Sequence, residues 1–179
     1  MTPSHPIGIL GIGGLGSLAV QFARALGYPV VAIDNRPEGR ALAQEVPLPA
    51  NLVIDSNDSD AIEKIKAWAG RGGLAGIIVC TDNVPVTKWS LKTLRPRGVC
   101  VPLGLPPGGF EFDAFDTVFQ AYTIKGSLVS STSELEDMMK VVDQYGIRSN
   151  ITAVPLEGVP DLPDMYMDPH LKGRLVMKI

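Results

Sequence analysis

Three glycines near the start of the chain constrain its fold more than any other feature. The stretch "GILGIGGLGSLAVQFARALG" occupies residues 8–27, and Gly11, Gly13 and Gly16 have the spacing G-x-G-x-x-G. The apolar run Ile7–Leu10 precedes the glycines, and an apolar pattern of helical period follows them. A glycine loop between a strand and a helix is typical of a βαβ unit that holds a dinucleotide pyrophosphate at the helix N-terminus.

Each glycine of the loop has its own predicted task. Gly11 permits the tight turn out of the strand, Gly13 lets the backbone approach a pyrophosphate, and Gly16 lets the helix pack closely on the sheet. Gly14 and Leu15 complete the loop, whose N–H groups and positive helix dipole favour phosphate. The sequence therefore predicts that all five residues contact the cofactor.

An acid follows the loop at the distance expected for a ribose contact. The second predicted strand, Val30–Ile33, ends on Asp34, 18 residues after Gly16. A carboxylate at this place accepts both ribose hydroxyls of NAD and repels a 2′-phosphate. Arg36 and Arg40 stand close behind it, and they are read either as phosphate partners or as solvated loop charges. NAD is the predicted cofactor, with Arg36 among the predicted contacts, and NADP is the alternative.

The rest of the chain continues the alternation of strands and helices that is typical of a parallel sheet with both faces covered. The predicted strands are Ile7–Leu10, Val30–Ile33, Leu52–Ile54, Ile77–Cys80, Val99–Leu103 and Tyr122–Val129. The predicted fold class is therefore α/β, a Rossmann-type, doubly wound, six-stranded parallel sheet. Residues 1–150 are assigned to the dinucleotide-binding domain, and residues 151–179 to a short irregular C-terminal extension packed on that domain or on a partner.

The last third of the chain shows a change of pattern. Ser133 and Glu136 predict a capping box for a helix that ends at Gly146. An apolar stripe of this helix is interpreted as core: Leu135, Met138, Met139 and Val142. Four prolines between residues 155 and 169 exclude a regular helix there. The closing segment Gly173–Ile179 is strand-like, with apolar side chains in alternation.

Composition excludes several classes of function. Apolar residues make up 45% and charged residues 20%, and a net charge of −3 gives no reason to expect nucleic acid or an anionic membrane as a partner. Cys80 and Cys100 lie in apolar runs and are predicted to be buried and reduced. The two histidines, His5 and His170, have no ligand spacing, so no metal site is predicted. Without a signal peptide or a membrane-spanning run, the expected location is cytoplasmic.

These motifs resemble the cofactor-binding domain of zinc-type medium-chain alcohol dehydrogenases. The resemblance is carried by "GIGGLGSLAVQFARALG" followed by "VVAID", by "LRPRGVCVPLGLP" at 94–106, by "IKGSLV" at 124–129 and by the closing "KGRLVMKI". It implies a Rossmann domain in which Thr81, Leu103 and Leu105 lie beside the nicotinamide. It also implies a homodimer through the strand 122–129.

The sequence departs from that family in two ways. The resemblance implies an earlier, barrel-like domain that supplies a catalytic zinc, and its motifs do not occur in this sequence. We therefore expect a zinc-independent, truncated chain that opens on its cofactor loop because that domain is absent, with residues 151–179 as its remnant. Ser130, Ser131 and Thr132 stand where the family commonly has Gly, a small residue and Arg, which predicts weaker cofactor binding.

Three functions remain open from the sequence. The first is an NAD(H)-binding oxidoreductase domain of the alcohol dehydrogenase type, acting on a small molecule. The second is a non-redox enzyme, a cyclase, isomerase or dehydratase, in which an apolar cleft raises the pKa of an acid. Its candidate acid–base groups at the strand ends are Asp82, Asp55, Tyr122 and Lys88. The third is a pseudoenzyme or interaction module that docks or dimerises through the terminal strand 173–179.

Overall fold

Six parallel strands form the central sheet of the structure, a computed structural model that describes residues 2–179. The strands are β1 (Ile7–Leu10), β2 (Val30–Asp34), β3 (Leu52–Asp55), β4 (Leu74–Val79), β5 (Leu94–Pro102) and β6 (Thr123–Ile124). Their order is β3-β2-β1-β4-β5-β6, and every neighbouring pair is parallel. This confirms the predicted α/β class and Rossmann-type sheet.

Helices cover both faces of this sheet. The helices that pack on it are α1 (Gly16–Ala25), α2 (Pro37–Glu45), α3 (Ala61–Ala69) and α4 (Val84–Leu91), and the remaining helices are α5 (Ala114–Phe119), α6 (Thr132–Tyr145) and α7 (Leu162–Met167). One core cluster joins α1 and α2 to β1 and β2, and a second joins α3 and α4 to β1, β2, β3, β4 and β5. The apolar runs of β1 and β2 are buried along their whole length because both of their faces are covered. No helix within residues 2–179 has the length and apolar character needed to cross a membrane.

The strand order reverses beside β1, and this reversal positions the candidate site. β1 pairs with β2 on one side and with β4 on the other, so the chain leaves β1 in one direction and later returns to its opposite side. The helices that follow β1 and β4 therefore pack in different core clusters, and a crevice lies between them at the carboxyl ends of the strands. Ligands of open α/β sheets bind in such a crevice.

The C-terminal segment forms a second, smaller sheet. β7 (Ile151–Pro155) and β8 (Arg174–Lys178) pair in parallel, from Ile151 opposite Arg174 to Pro155 opposite Lys178. A 3-10 helix, Leu156–Asp161, and α7 connect the two strands. The prediction that prolines exclude a helix between residues 155 and 169 is therefore wrong, because Pro163 lies in the first turn of α7, where its missing N–H costs no hydrogen bond. The predicted closing strand is therefore present as β8, and its partner is a strand of the same chain.

The predictions fail mainly between residues 122 and 145. The sixth strand is predicted over 122–129 but consists of only Thr123–Ile124, and the chain that follows is exposed without regular structure. Helix α6 begins at Thr132, because Ser131 and Glu134 form the capping box instead of Ser133 and Glu136. Its predicted core stripe is wrong, since Leu135, Met138 and Met139 are 47%, 38% and 53% exposed. Such a stripe is typical of a helix that packs on other elements, but this part of α6 has no cover within the described residues.

Candidate functional site

The first glycine of the loop occupies a backbone conformation that other residues rarely adopt. Gly11 follows β1 directly and has a φ of +88°. A Cβ atom at this position would lie 3.0 Å from the Cβ of Thr81, which follows β4. Glycine is required here both by the turn and by the close approach of the loop after β4.

The other two glycines of the motif have opposite surroundings. Nothing lies within 4 Å of the place where a Cβ on Gly13 would stand, so the backbone there borders open space. A Cβ on Gly16 would collide with the carbonyl oxygen of Gly11. The geometry fits the tasks predicted for them, because Gly13 leaves the backbone open to a ligand and Gly16 brings α1 against the loop.

The N-terminus of α1 carries unpaired donors. Within residues 2–179, the N–H groups of Gly13, Gly14 and Leu15 have no hydrogen-bond partner. The N-cap residue Leu15 provides no side-chain cap, and no acid stands in the first turn. The positive end of the helix dipole is therefore available to an anion at this edge of the sheet.

A cavity of about 160 Å³ lies at this edge, between the glycine loop and the ends of the neighbouring strands. Gly11 and Gly13 border it from the loop, Asp34 and Arg36 from the end of β2, and Thr81 from the end of β4. Five of the predicted cofactor contacts thus face one space. The strand ends bring them together from positions up to 70 residues apart in the sequence.

Asp34 is held so that its carboxylate faces the loop. The residue is only 4% exposed, and its Oδ2 accepts the N–H of Ile12 at 2.7 Å. Its Oδ1 accepts the backbone N–H of Arg36 at 2.8 Å. The carboxylate also packs against Gly39, where a Cβ would collide with it. These contacts fix the acid at the rim of the cavity and keep it out of bulk water.

The two arginines behind Asp34 have different partners. The guanidinium of Arg36 lies across the carboxylate, with Nε 3.3 Å from Oδ1 and Nη2 3.4 Å from Oδ2. Arg40 instead forms an ion pair with Asp55 at 2.8 Å and donates to the carbonyl oxygen of Asp34 at 3.3 Å. Of the two arginines, only Arg36 therefore contacts the carboxylate of Asp34, the predicted ribose acceptor.

The sequence reasoning missed Arg174. This residue opens β8, and a Cβ on Gly14 would lie 2.6 Å from its Cγ and 3.1 Å from its Nε. Arg174 and Gly14 also border a second cavity of about 530 Å³ between the loop and the C-terminal sheet. A cation therefore lies beside the open N-terminus of α1. The only signal in the sequence was an arginine within the closing motif "KGRLVMKI", and nothing local connected it to residue 14.

The predicted nicotinamide contacts divide into two groups. Thr81 touches Gly11, and the N–H of Leu103 bonds the carbonyl of Val79 at 2.9 Å, so both residues lie at the carboxyl edge. Leu105 is 92% exposed and belongs to the outer rim. Thr81 is therefore the one of the three that borders the first cavity.

The acid–base group proposed at residue 82 does not have the environment expected for it. Asp82 is exposed and does not border the cavity, although its neighbours Thr81 and Asn83 do. The Thr81 hydroxyl accepts the N–H of Asn83 at 3.3 Å, so the chain turns after β4. The expectation of an apolar cleft around Asp82 is therefore wrong.

The other three acid–base candidates lie apart from Asp82 and from one another. Asp55 is paired with Arg40, and Lys88 is exposed on α4. Tyr122 precedes β6 at the opposite, amino edge of the sheet, where its Oη donates to the carbonyl of Leu94 at 3.5 Å. Burial, and after it the nearby charge of Asp116, raise the pKa of Tyr122. The structure does not assemble these side chains into one site.

The thiols and the acids of the described chain do not fit a zinc site. Cys80 and Cys100 are free, and burial raises their pKa to about 12 and about 11, so both are protonated at neutral pH. Cys100 is buried as predicted, whereas Cys80 is partly exposed beside the glycine loop. Residues 2–179 contain no cluster of three or more His, Cys, Asp or Glu side chains suited to a metal ion.

Comparison of sequences identifies a family for most of this chain. The zinc-binding dehydrogenase family matches residues 14–144. An alcohol dehydrogenase from Geobacillus stearothermophilus is 33% identical over 177 residues, which are 99% of this chain and 51% of that protein. The chain therefore spans about half the length of the curated relatives it matches.

Solved structures show the same fold. Acetophenone reductase from Geotrichum candidum, in complex with NAD, superposes with a TM-score of 0.84 at 23% identity, over 100% of this chain and 50% of that one. A putative zinc-binding dehydrogenase from Sinorhizobium meliloti 1021, bound to NADP, has a TM-score of 0.82 at 25% identity, over 99% of this chain and 53% of that one.

Proposed function

The chain belongs to the zinc-binding dehydrogenase family, and from this premise we propose that it is an alcohol dehydrogenase-like domain that binds NAD(H). The observation that carries the proposal is the pairing of an open backbone at Gly13 with a carboxylate, Asp34, that is held facing the same space. Open backbone suits a pyrophosphate, and a buried acceptor at the end of β2 suits ribose hydroxyls. The two features lie at the reversal of the strand order, where this fold binds its ligands.

Each part of the dinucleotide has candidate partners in the site. The N–H groups of Gly13, Gly14 and Leu15 face the pyrophosphate, and Arg174 supplies a positive charge beside them. Asp34 accepts from the adenosine ribose, and Thr81 and Leu103 border the nicotinamide end. When bound, the nicotinamide supplies hydride transfer. The residues of this chain hold and orient the cofactor.

We propose NAD over NADP because of how Asp34 is held. Two backbone N–H groups fix its carboxylate toward the cavity, where its charge would repel a 2′-phosphate. Arg40, the cation that is a candidate partner for that phosphate, is tied to Asp55. Arg36 offsets part of the charge of Asp34. The preference for NAD over NADP therefore depends on the balance between the negative charge of Asp34 and the positive charge of Arg36. The structural neighbours include proteins bound to each cofactor.

We assign to this chain the binding of the cofactor. The small-molecule substrate, the reaction and a location in the cytoplasm stay predictions.

The direct test is a titration with NADH followed by fluorescence or calorimetry. Asp34→Ala removes the ribose acceptor and is expected to weaken binding by about tenfold or more, as for a charge-assisted hydrogen bond. The matched control is Asp58→Ala, which removes an exposed acid paired with Lys64 and leaves the affinity unchanged. Failure of the wild-type protein to bind NADH at millimolar concentration would overturn the proposal.

We also propose that a second copy pairs along residues 122–129. β6 is an edge strand of the sheet, with a partner on one side only. Three apolar side chains flank it, and Phe119, Leu128 and Val129 are 71%, 92% and 88% exposed. An open edge with exposed apolar flanks is a surface that natural proteins cover. β8, the alternative dimer edge, likewise has a partner, β7, on one side only.

A further inference from the structure

A short segment between α7 and β8 crosses α2 beside the predicted ribose site. We call residues 168–172 the strap. Its His170 places Nδ1 2.6 Å from Oε1 of Glu38, and its Lys172 places Nζ 2.9 and 3.0 Å from the two carboxylate oxygens of Glu45. Glu38 and Glu45 are seven residues apart on α2, which is about two helical turns. The strap is therefore fixed to the same face of α2 at two points.

The strap also contacts the arginine that lies on Asp34. Nη1 of Arg36 donates to the carbonyl oxygen of Pro169 at 3.4 Å, while Nε and Nη2 of the same guanidinium face the carboxylate of Asp34. Pro169 directly precedes His170. One guanidinium thus bridges the strap and the acid assigned to the ribose.

This bridge fills the acceptor positions of Asp34. Oδ2 receives the N–H of Ile12 and Nη2 of Arg36, and Oδ1 receives the backbone N–H and Nε of Arg36. A carboxylate offers about four lone-pair positions, so four donors leave none for a ribose hydroxyl. The two contacts from the guanidinium are the longer ones and are the ones that a ribose must displace.

We propose that His170 is a positioning residue for dinucleotide binding, because through the strap it holds Arg36 across Asp34 and opposes entry of the ribose. The inference rests on the proposed function and adds a regulation to it. When His170 is charged and paired with Glu38, Pro169 keeps the guanidinium on the acid. When that pair is released, Arg36 leaves the carboxylate at lower cost and the dinucleotide binds more tightly.

The charges around His170 determine the direction of the pH effect. It faces Glu38 from α2 and Asp168 from the strap itself, whose carboxylate accepts the backbone N–H of His170 at 2.8 Å. The charge of Arg36, just ahead of α2, acts on Glu38. The hydrogen bond from the imidazole to Glu38 raises the pKa of His170 above its ordinary value of 6.5 and lowers the pKa of Glu38. The ion pair is therefore complete below pH 6.5 and is lost as the pH rises through the raised pKa.

The test compares NADH affinity at pH 6 and pH 8 in the full chain. The wild type is expected to bind about two- to fivefold more tightly at pH 8, the range for an exposed ion pair. His170→Gln removes the charge and is expected to give the tighter affinity at both pH values. His170→Lys keeps a charge at both and is expected to give the weaker affinity at both. Equal pH dependence in wild type and His170→Gln would overturn the proposal.

The other histidine of the chain is the matched control. His5 lies before β1 at the amino edge, bonded to Thr2, so His5→Gln is expected to keep the full pH dependence. Arg36→Ala is expected to bind tightly at both pH values, with no further gain when His170→Gln is added. A gain from His170→Gln in the absence of Arg36 would contradict action through that arginine.

A titration of the imidazole by NMR checks the mechanism without any nucleotide. His170 is expected to titrate above 6.5, and Glu38→Gln is expected to lower its pKa. A His170 pKa that does not respond to Glu38→Gln would overturn the inference alone, as would NADH binding by the wild type with no pH dependence. If the wild type binds no NADH at all, the proposed function fails and this inference fails with it.

Discussion

The glycine-loop region and the β6–α6 region of this chain are both rich in apolar residues, but only the first is covered by its own chain. Ile9 and Ile33, in β1 and β2, are 0% exposed, whereas Leu128 and Val129 after β6 are 92% and 88% exposed. In the first region α1 and α2 lie over the strands, and the backbone of the loop has defined contacts. In the second region α6 presents its apolar stripe to solvent. The difference teaches that an apolar pattern specifies a surface to be covered, not what covers it.

The largest effect is expected inside the covered region. Gly16→Ala places a Cβ against the carbonyl oxygen of Gly11, where the backbone has no room to move without disturbing the loop. A loss of about 3 kcal/mol or more in the free energy of unfolding is expected for a clash of this kind. Urea denaturation monitored by circular dichroism measures it. A loss below 1 kcal/mol would show that the loop relaxes easily, and the contrast between the two regions would weaken.

The success of the sequence reasoning follows the same division. Gly11, Gly16 and Asp34 were predictable because their requirements are local: a left-handed φ, a close backbone contact, and a carboxylate at the end of a buried strand. The six-stranded parallel sheet followed from the alternation of strands and helices. β4 and β5 were found too, although both begin earlier than their apolar patterns indicate.

The failures have long-range causes. Arg174 reaches Gly14 from the far end of the chain, and no local pattern reports that contact. The contact between His170 and Glu38 likewise joins positions 132 residues apart. Asp82 was misjudged because a strand end predicts a crevice but not which side chain of a turn points into it. The stripe of α6 was misjudged because an apolar stripe does not show whether another element packs on it.

A charged substitution in the exposed segment after β6 is expected to weaken the proposed pairing with a second copy. Leu128→Glu or Val129→Lys places a charge on the edge that we propose pairs with a second copy, and each is expected to raise the dimer dissociation constant by about tenfold or more. Folding of the single chain should change by about 0.5 kcal/mol or less, because both side chains are exposed. Analytical ultracentrifugation and urea denaturation give the two readings. The control Lys125→Glu changes charge at the same exposed segment with no apolar loss. A wild type that stays monomeric at high concentration would contradict the pairing.

Gly13 and Gly16 are expected to respond differently to substitution by alanine, because only Gly16 lacks space for a Cβ. Gly13 has open space where a Cβ would stand and no positive φ, so Gly13→Ala should change the free energy of unfolding by less than about 1 kcal/mol. The new methyl group would occupy the approach of the pyrophosphate. NADH binding is therefore expected to weaken by about tenfold, the size of one lost hydrogen-bonded contact. Unchanged affinity in a folded Gly13→Ala protein would place the phosphates elsewhere.

The smallest effect is expected at the start of α6, where Ser131 and Ser133 each stand three residues before a glutamate and could each form a capping box. Ser131 accepts the N–H of Glu134 at 3.3 Å, and the carboxylate of Glu134 accepts the N–H of Ser131 at 2.8 Å. Ser131→Ala should therefore cost about 1 kcal/mol, as for other N-cap serines. Ser133→Ala, two residues later and inside the first turn, should cost nothing or stabilise slightly, since alanine is the better helix former. Thermal unfolding of the two variants measures the difference. If Ser133→Ala were the more damaging change, the helix would begin two residues later, with Ser133 as its N-cap, and the linker would lengthen from residues 125–131 to residues 125–133. α6 would then have more freedom to move onto a partner, and the exposure of its stripe would reflect that freedom rather than a fixed, uncovered face.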